Sequence, residues 1–161
     1  MRNRSIVRRA ASLDTVRLFQ LPGNPTGRRQ LTFAETPSIC PFPIKRVYWL
    51  HNLDESEVRG GHAHRQLSQL IISVSGAFEI ELDDCESKRA YRLESADMAL
   101  IIPPMIWRTI RVLRPHSCLL VLASRPFEET DYIRDYREFV RAFRLAVPIP
   151  IERSRVRNSS P

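Results

Sequence analysis

Two histidines one residue apart end the run Val58-Arg59-Gly60-Gly61-His62-Ala63-His64, and Gln69 follows five residues later. Side chains on a β-strand alternate between faces, so an H-x-H turns both imidazoles to the same side. The paired glycines ahead of them let the backbone turn or approach a ligand closely. Two basic nitrogens aimed into one pocket suit either a metal ion or proton transfer.

Positioning such a pair takes strands, and the flanking sequence supplies them. Residues 44–52 are rich in β-branched and aromatic residues and predict a strand ahead of the histidines. Residues 69–74 form an apolar strand broken by Gly76, and 77–82 alternate cleanly. Asp83-Asp84-Cys85-Glu86 makes a hairpin turn, returned by residues 89–93. Further strands are expected at 31–35, 98–102, 106–112 and 117–123, with Pro103-Pro104 as a stop. Residues 21–27 read as a loop, and the three prolines in 36–43 exclude a central strand there. Short strands at regular spacing predict an all-β antiparallel barrel or jelly roll. From Glu128 the period changes: Tyr132, Ile133, Tyr136, Phe139, Val140 and Phe143 recur at three and four. One amphipathic helix is expected, with Thr130 as its N-cap and Asp131 near its start.

The net charge of +7 on 161 residues invites a nucleic-acid reading, but its distribution opposes one. Residues 28–140 hold 15 basic and 16 acidic side chains, so the basicity sits towards the two ends. Nucleic acid needs a basic stripe on one face of the fold. No apolar run is long enough to cross a membrane, and the arginine-rich first dozen residues lack a signal peptide's apolar core. Cys40, Cys85 and Cys118 are far apart and read as free thiols of a cytoplasmic protein. The expected organisation is a flexible basic segment at 1–20, one domain at 21–145 and a flexible tail at 146–161.

A jelly roll carrying H-x-H resembles the cupins (the RmlC-like barrels). Their first motif resembles H-x-H, three or four residues, Glu, six residues and Gly. Here His62, His64, Gln69 and Gly76 keep that frame with an amide in place of the acid. The second motif usually ends in His, and here Arg108 stands at that place in Pro103-Pro104-Met105-Ile106-Trp107-Arg108. A permanent cation is no ligand and repels a metal ion, so no metal or other cofactor is expected. What remains is a pocket of two histidines, an amide and arginines. That set suits proton transfer on a phosphate-bearing substrate.

Several blocks in order make the resemblance narrower. Arg46-Val47-Tyr48, Arg59-Gly60-Gly61-His62-Ala63-His64, Leu82-Asp83-Asp84, Ile102-Pro103-Pro104-x-x-Trp107 and Asp131-Tyr132-Ile133-Arg134-Asp135-Tyr136 resemble the WxcM-like nucleotide-sugar 3,4-ketoisomerases. The resemblance implies a metal-independent isomerase that moves the ketone of dTDP-4-keto-6-deoxyglucose from C4 to C3 through an enediol(ate). Such enzymes serve the 3-amino deoxysugars of surface polysaccharides or glycosylated metabolites. It implies His62 and His64 as the essential pair, with His64 the main proton shuttle. Tyr48 is a candidate acid or hydrogen-bond donor, and Gln69 a residue that orients a histidine or a sugar hydroxyl. Arg46 and Arg59 are candidates for the pyrophosphate and Arg134 for the nucleotide end. Trp107 is a candidate pocket wall, and Arg28 and Arg108 are candidates to face the sugar and choose the face of C4 that is reprotonated. The chain departs from the family pattern at Thr26-Gly27-Arg28-Arg29, Leu67-Ser68-Gln69 and Pro126-Phe127. A sugar-nucleotide epimerase and a non-catalytic sugar-nucleotide binder are the alternatives. A homodimer is expected, with the proline-rich arm before Ile44 passing a strand to the neighbour.

Overall fold

The structure, a computed structural model, describes residues 12–26 and 29–146. Alternating apolar residues build two facing five-stranded antiparallel sheets. The strands are β1 (Arg17–Gln20), β2 (Gly23–Thr26), β3 (Arg29–Thr32), β4 (Arg46–Leu53), β5 (Val58–His64) and β6 (Gln69–Ser75). They continue as β7 (Phe78–Asp83), β8 (Lys88–Leu93), β9 (Met98–Ile102), β10 (Trp107–Val112), β11 (Ser117–Ala123) and β12 (Tyr132–Ile133). One sheet runs β1-β9-β6-β11-β4, the other β12-β5-β10-β7-β8, and β2 and β3 form a separate hairpin. Among the described residues one α-helix, α1 (Tyr136–Ala146), follows β12. The expected all-β cupin-type jelly roll with a C-terminal helix is the fold observed.

The core lies between the sheets. Phe78, Ile80 and Leu82 of β7 are fully buried there with Ile71, Leu100 and Ile102 opposite. Each such side chain contributes roughly 1.5–3 kcal/mol through its burial. The outer face of the second sheet is covered by α1, whose Phe139 and Phe143 pack on Ala63 and Ile133. The outer face of the first sheet is covered in part by the proline-rich arm, with Cys40 buried and Ile39, Phe42 and Ile44 against the cluster of Leu70, Ile72 and Leu122. The arm thus lies on its own chain rather than reaching outward as expected.

Three boundaries differ from the sequence reading. Residues 12–20, expected to be flexible, belong to the fold. Leu13 is 1% exposed in the main core, its N–H donates to Asp84 Oδ2 at 2.8 Å, and β1 pairs with β9. The apolar residues there, Leu13, Val16, Leu18 and Phe19, follow no clear period and adjoin the arginine-rich first residues. Residues 23–26, expected as loop, form half of the β2–β3 hairpin. Pro25 is tolerated because no third strand needs its missing donor. The helix starts at Tyr136, not near Glu128. Asp135 caps it, accepting the Glu138 N–H at 2.8 Å, and Thr130 and Asp131 sit in a preceding 3-10 turn. The rest of the expected flexible ends, residues 1–11 and 147–161, lie outside the described residues.

If the segment before β1 is part of the core, Leu13→Ala lowers the unfolding free energy in urea by about 2–4 kcal/mol, as for other buried leucines. A change within about 0.5 kcal/mol, usual for surface positions, would restore the flexible reading.

Candidate active site

One end of the space between the sheets is polar instead of apolar. A cavity of about 370 Å³ opens there, within the usual ~300–1,000 Å³ of small-molecule sites. Tyr48 of β4 and Gln69 of β6 line it from the first sheet, and Arg59, His62 and Arg108 from the second. Tyr132 and Arg134, from the segment between β11 and α1, complete the wall.

The β5–β10 pairing sets this wall. Arg108 faces His62, but Thr109 faces Gly60, so β5 carries one extra residue at Gly61. Gly60 and Gly61 both have positive φ, at 88° and 65°. A Cβ on Gly60 would come within 2.7 Å of the Arg108 carbonyl oxygen. The bulge therefore needs glycine there, and it resets the alternation of the strand. Arg59 and His62, which an unbroken strand would put on opposite faces, both reach the cavity.

His64 is fully buried beside His62, ring centroids 4.9 Å apart. Its Nδ1 lies 3.1 Å from Asp131 Oδ2, while Asp131 Oδ1 accepts the Gln66 N–H at 2.7 Å. A carboxylate only accepts, so the Nδ1 of His64 carries the hydrogen and Nε2 keeps its lone pair. That Nε2 is buried and has no hydrogen-bond partner among the described residues. Tyr132, paired with His64 across β12 and β5, packs its ring 4.3 Å from the His64 ring.

Burial and then the Arg108 guanidinium push His62 down to about 4, and the same two causes in the same order push His64 down to about 2. A carboxylate neighbour by itself favours imidazolium, but desolvation and the surrounding cations prevail. The His64–Asp131 contact is a neutral N–H to carboxylate bond, and both imidazoles are bases in waiting at neutral pH.

Arg108 is 1% exposed, and none of its three guanidinium nitrogens has a hydrogen-bond partner among the described residues. Burial lowers it to about 10, so it stays charged at neutral pH. Tyr48 receives a hydrogen bond from Gln69 Nε2 at 2.7 Å, which leaves its own O–H free for a ligand. Burial raises the Tyr48 pKa and keeps it a neutral donor.

Residues 14–144 match the family model described as WxcM-like, C-terminal. The chain belongs to that family. A TDP-4-oxo-6-deoxy-alpha-D-glucose-3,4-oxoisomerase from Aneurinibacillus thermoaerophilus is 35% identical over 112 residues, covering 70% of this chain and 81% of that one. The sugar 3,4-ketoisomerase QdtA of Thermoanaerobacterium thermosaccharolyticum, solved in complex with TDP, superposes with a TM-score of 0.79 at 32% identity, covering 83% of this chain and 98% of its own. The TDP-quinovose 3,4-ketoisomerase WlaRB of Campylobacter jejuni gives 0.76 at 34% identity, over 80% and 99% of the two chains. The resemblance read from the sequence holds, and among these relatives it favours ketone migration over epimerisation.

Within this WxcM-like site most of the expected residues meet. His62, Tyr48, Gln69, Arg59, Arg108 and Arg134 line the cavity, and His64 stands just behind them. Arg59 is paired with Glu57 at 2.5 Å, and Arg134 with Glu129 at 2.8 and 3.1 Å while its guanidinium covers the Tyr132 ring. Arg46 sits behind Tyr48, stacked over that ring and over Phe127, and is not in the cavity wall. Trp107 does not line the cavity either. Strand alternation turns it away from Arg108 onto the helix side, where its ring meets Tyr136 and Phe139. Arg28 lies outside the described residues. Asp131 and Tyr132 are the residues the sequence reading missed as site residues, having been assigned to a helix.

A metal ion does not fit this donor set. Among the described residues no three His, Cys, Asp or Glu side chains gather as ligands. The place of the last cupin ligand is held by a guanidinium directly across from His62.

Asp131 fixes the His64 tautomer, so Asp131→Asn is expected to lower turnover by roughly 10²–10⁴-fold while the fold is kept, as when other buried tautomer-setting carboxylates are changed to the amide. Steady-state rates beside a circular dichroism melt check this. Full activity in the variant would show that the contact is structural only.

Proposed function

We propose that this chain moves the ketone of a TDP-linked 4-keto-6-deoxyhexose from C4 to C3 without a metal. The observation that carries the reading is His64, neutral, held by Asp131, with an unpartnered Nε2, next to His62 and under the charge of Arg108. The ketone at C4 acidifies the C3 hydrogen. His64 takes that proton at Nε2, the C–H electron pair becomes the C3–C4 double bond, and the carbonyl π pair moves onto the C4 oxygen. The proton then returns at C4. The hydrogen of the C3 hydroxyl passes to the C4 oxygen, for which His62 and the Tyr48 hydroxyl are the nearby carriers. Nothing is oxidised or reduced overall. Arg59 and Arg134 at the mouth, each half-exposed, suit the pyrophosphate, which would displace Glu57 and Glu129. The ketoisomerase names of the relatives support the reaction class, and the titratable pair argues against a mere binder.

Incubation with dTDP-4-keto-6-deoxyglucose in D2O, followed by NMR, tests the reading. Deuterium at C4 together with a 3-ketone is expected. Exchange without migration would indicate an epimerase, and binding without exchange a binding module. His64→Asn is expected to abolish turnover, and EDTA to leave it unchanged. Activity lost in chelator and restored by a divalent metal would overturn the metal-free part.

The depressed imidazoles also set a pH expectation. His64, pushed down to about 2, stays unprotonated, so kcat/KM stays level through the ordinary histidine value near pH 6.5 and falls only towards about pH 4, where His62 takes up a proton. An acid limb near pH 6.5 would show that the histidines are not in this environment.

The same reading includes a homodimer. β4 ends its sheet, and its outward Val47 and Trp49 are 49% and 56% exposed. Sedimentation at micromolar protein is expected to give twice the 18.7 kDa chain mass, and a monomer mass would count against it.

A further inference from the structure

We propose that Arg108 is a catalytic residue of this site, the receptor for the negative charge that forms on the C3–C4 oxygens. The inference rests on the ketoisomerase reading above and assigns what that reading leaves open, the partner of a buried cation. Among the described residues Arg108 is the largest fully buried side chain, and it makes no salt bridge and no hydrogen bond there through any guanidinium nitrogen. A charge taken out of water is costly unless an opposite charge or a full set of hydrogen bonds replaces the lost solvent. In the described protein Asp131 acts on it only through space, as the least of the influences on this group and with both oxygens already bonded elsewhere, and no hydrogen bonds replace the solvent. The missing partner is therefore an anionic ligand, and the guanidinium is built in advance for it.

Depth identifies which anion. The pyrophosphate is the substrate's permanent charge, and the arginines suited to it, Arg59 and Arg134, have side chains 51% and 56% exposed at the mouth. Arg108 lies further in, directly across from His62 and beside the histidine pair and Tyr48. The part of a sugar nucleotide that reaches this depth is the keto sugar, which is neutral when bound. It becomes anionic only when the C3 proton has been taken. Its two oxygens then lie in one plane with the C3–C4 double bond, a shape that a planar guanidinium fork meets with parallel N–H donors, as it meets a carboxylate. An interaction that gains its charge only after deprotonation acts on kcat rather than on binding.

The same cation serves the first step from the other side. Arg108 is the leading charge acting on both His62 and His64. Around those imidazoles also stand Arg46 on β4, Arg134 with Glu129, and Asp131 and Tyr132 from the segment before α1. With Arg108 in place the imidazoles are unprotonated before substrate arrives and the enediolate is stabilised after they act.

Arg108→Met and Arg108→Lys test the assignment against the wild-type chain. Arg108→Met is expected to lose kcat by roughly 10²–10³-fold, the usual cost of an oxyanion donor. It should keep its affinity for TDP, measured by calorimetry, within about threefold, because uniform binding is not what was removed. Its melting temperature is expected to equal or exceed that of the wild type, since an unpaired buried charge has gone. Its acid limb is expected to move up from about pH 4 yet stay below the ordinary imidazole value, because desolvation, the larger cause, remains. Arg108→Lys, with the charge but not the fork, is expected to lose less rate than Arg108→Met. A near wild-type kcat in Arg108→Met would overturn the proposal. So would equal losses of rate and TDP affinity, or equal rate losses in the two variants. The parent reading fails separately: there the wild-type protein itself gives no deuterium at C4 and no 3-ketone.

Discussion

The extra residue that β5 carries against β10 governs the geometry of the site. Gly60 and Gly61 adopt positive φ, and Gly60 lies so close to the Arg108 carbonyl that only a hydrogen fits in place of a side chain. The bulge puts Arg59 and His62 on one wall and brings the Arg108 backbone against the histidine strand. Beyond it, Leu82 and Ile80 of β7 pair with Arg108 and Ile110 on the other flank of β10, so the strand bearing the guanidinium is gripped from both sides. The polar end of the barrel is rigid because it is a continuation of the apolar core and not a loop.

That rigidity supports an unusual charge balance. The site holds one deeply buried cation, two neutral bases and the neutral phenol of Tyr48 beside Tyr132, with Asp131 orienting His64. In a solvated pocket the guanidinium would find water or a carboxylate, and the imidazoles would titrate near neutrality. Here the ordering of causes is the same at both histidines, desolvation first and Arg108 second, so enclosure and charge act in one direction. The mouth follows the opposite rule. Arg59 and Arg134 are exposed and paired with Glu57 and Glu129 in solvent-screened ion pairs that contribute little.

Much of this was legible in the sequence, because period-2 alternation and the cupin spacing are local signals. They placed His62, His64, Gln69 and Tyr48 together, and the frame marked Arg108 as the residue standing where a ligand would be. The failures also have physical causes. Trp107 was assigned to the pocket through a motif, although its neighbour Arg108 already occupied the inward direction. Tyr132 and Ile133 repeat at the same three- and four-residue spacing as the helix that follows, so a two-residue strand was absorbed into it. Leu13 and the short β1 were missed because docking there depends on the edge of β9, whose Met98–Ile101 is far along the chain. Partners contributed by a distant edge leave no periodic trace.

The absorbed segment carries the most consequence. β12 is only two residues long, yet it pairs Tyr132 with His64 and Ile133 with Ala63. Ile133 faces the other way, into the cluster formed with Phe139 and Phe143 of α1. The same short stretch therefore has one side in the active site and the other in the helix-docking core. Asp131, immediately before it, bonds the Gln66 N–H and the His64 ring, and the Asp131 carbonyl accepts the Arg65 N–H at 2.9 Å. The carboxylate that holds the His64 ring is thus continuous in sequence with a residue of the helix-docking core. An apolar contact on the outside of the barrel, two residues along the chain, anchors the segment whose carboxylate holds Nδ1 of His64 and leaves Nε2 with its lone pair.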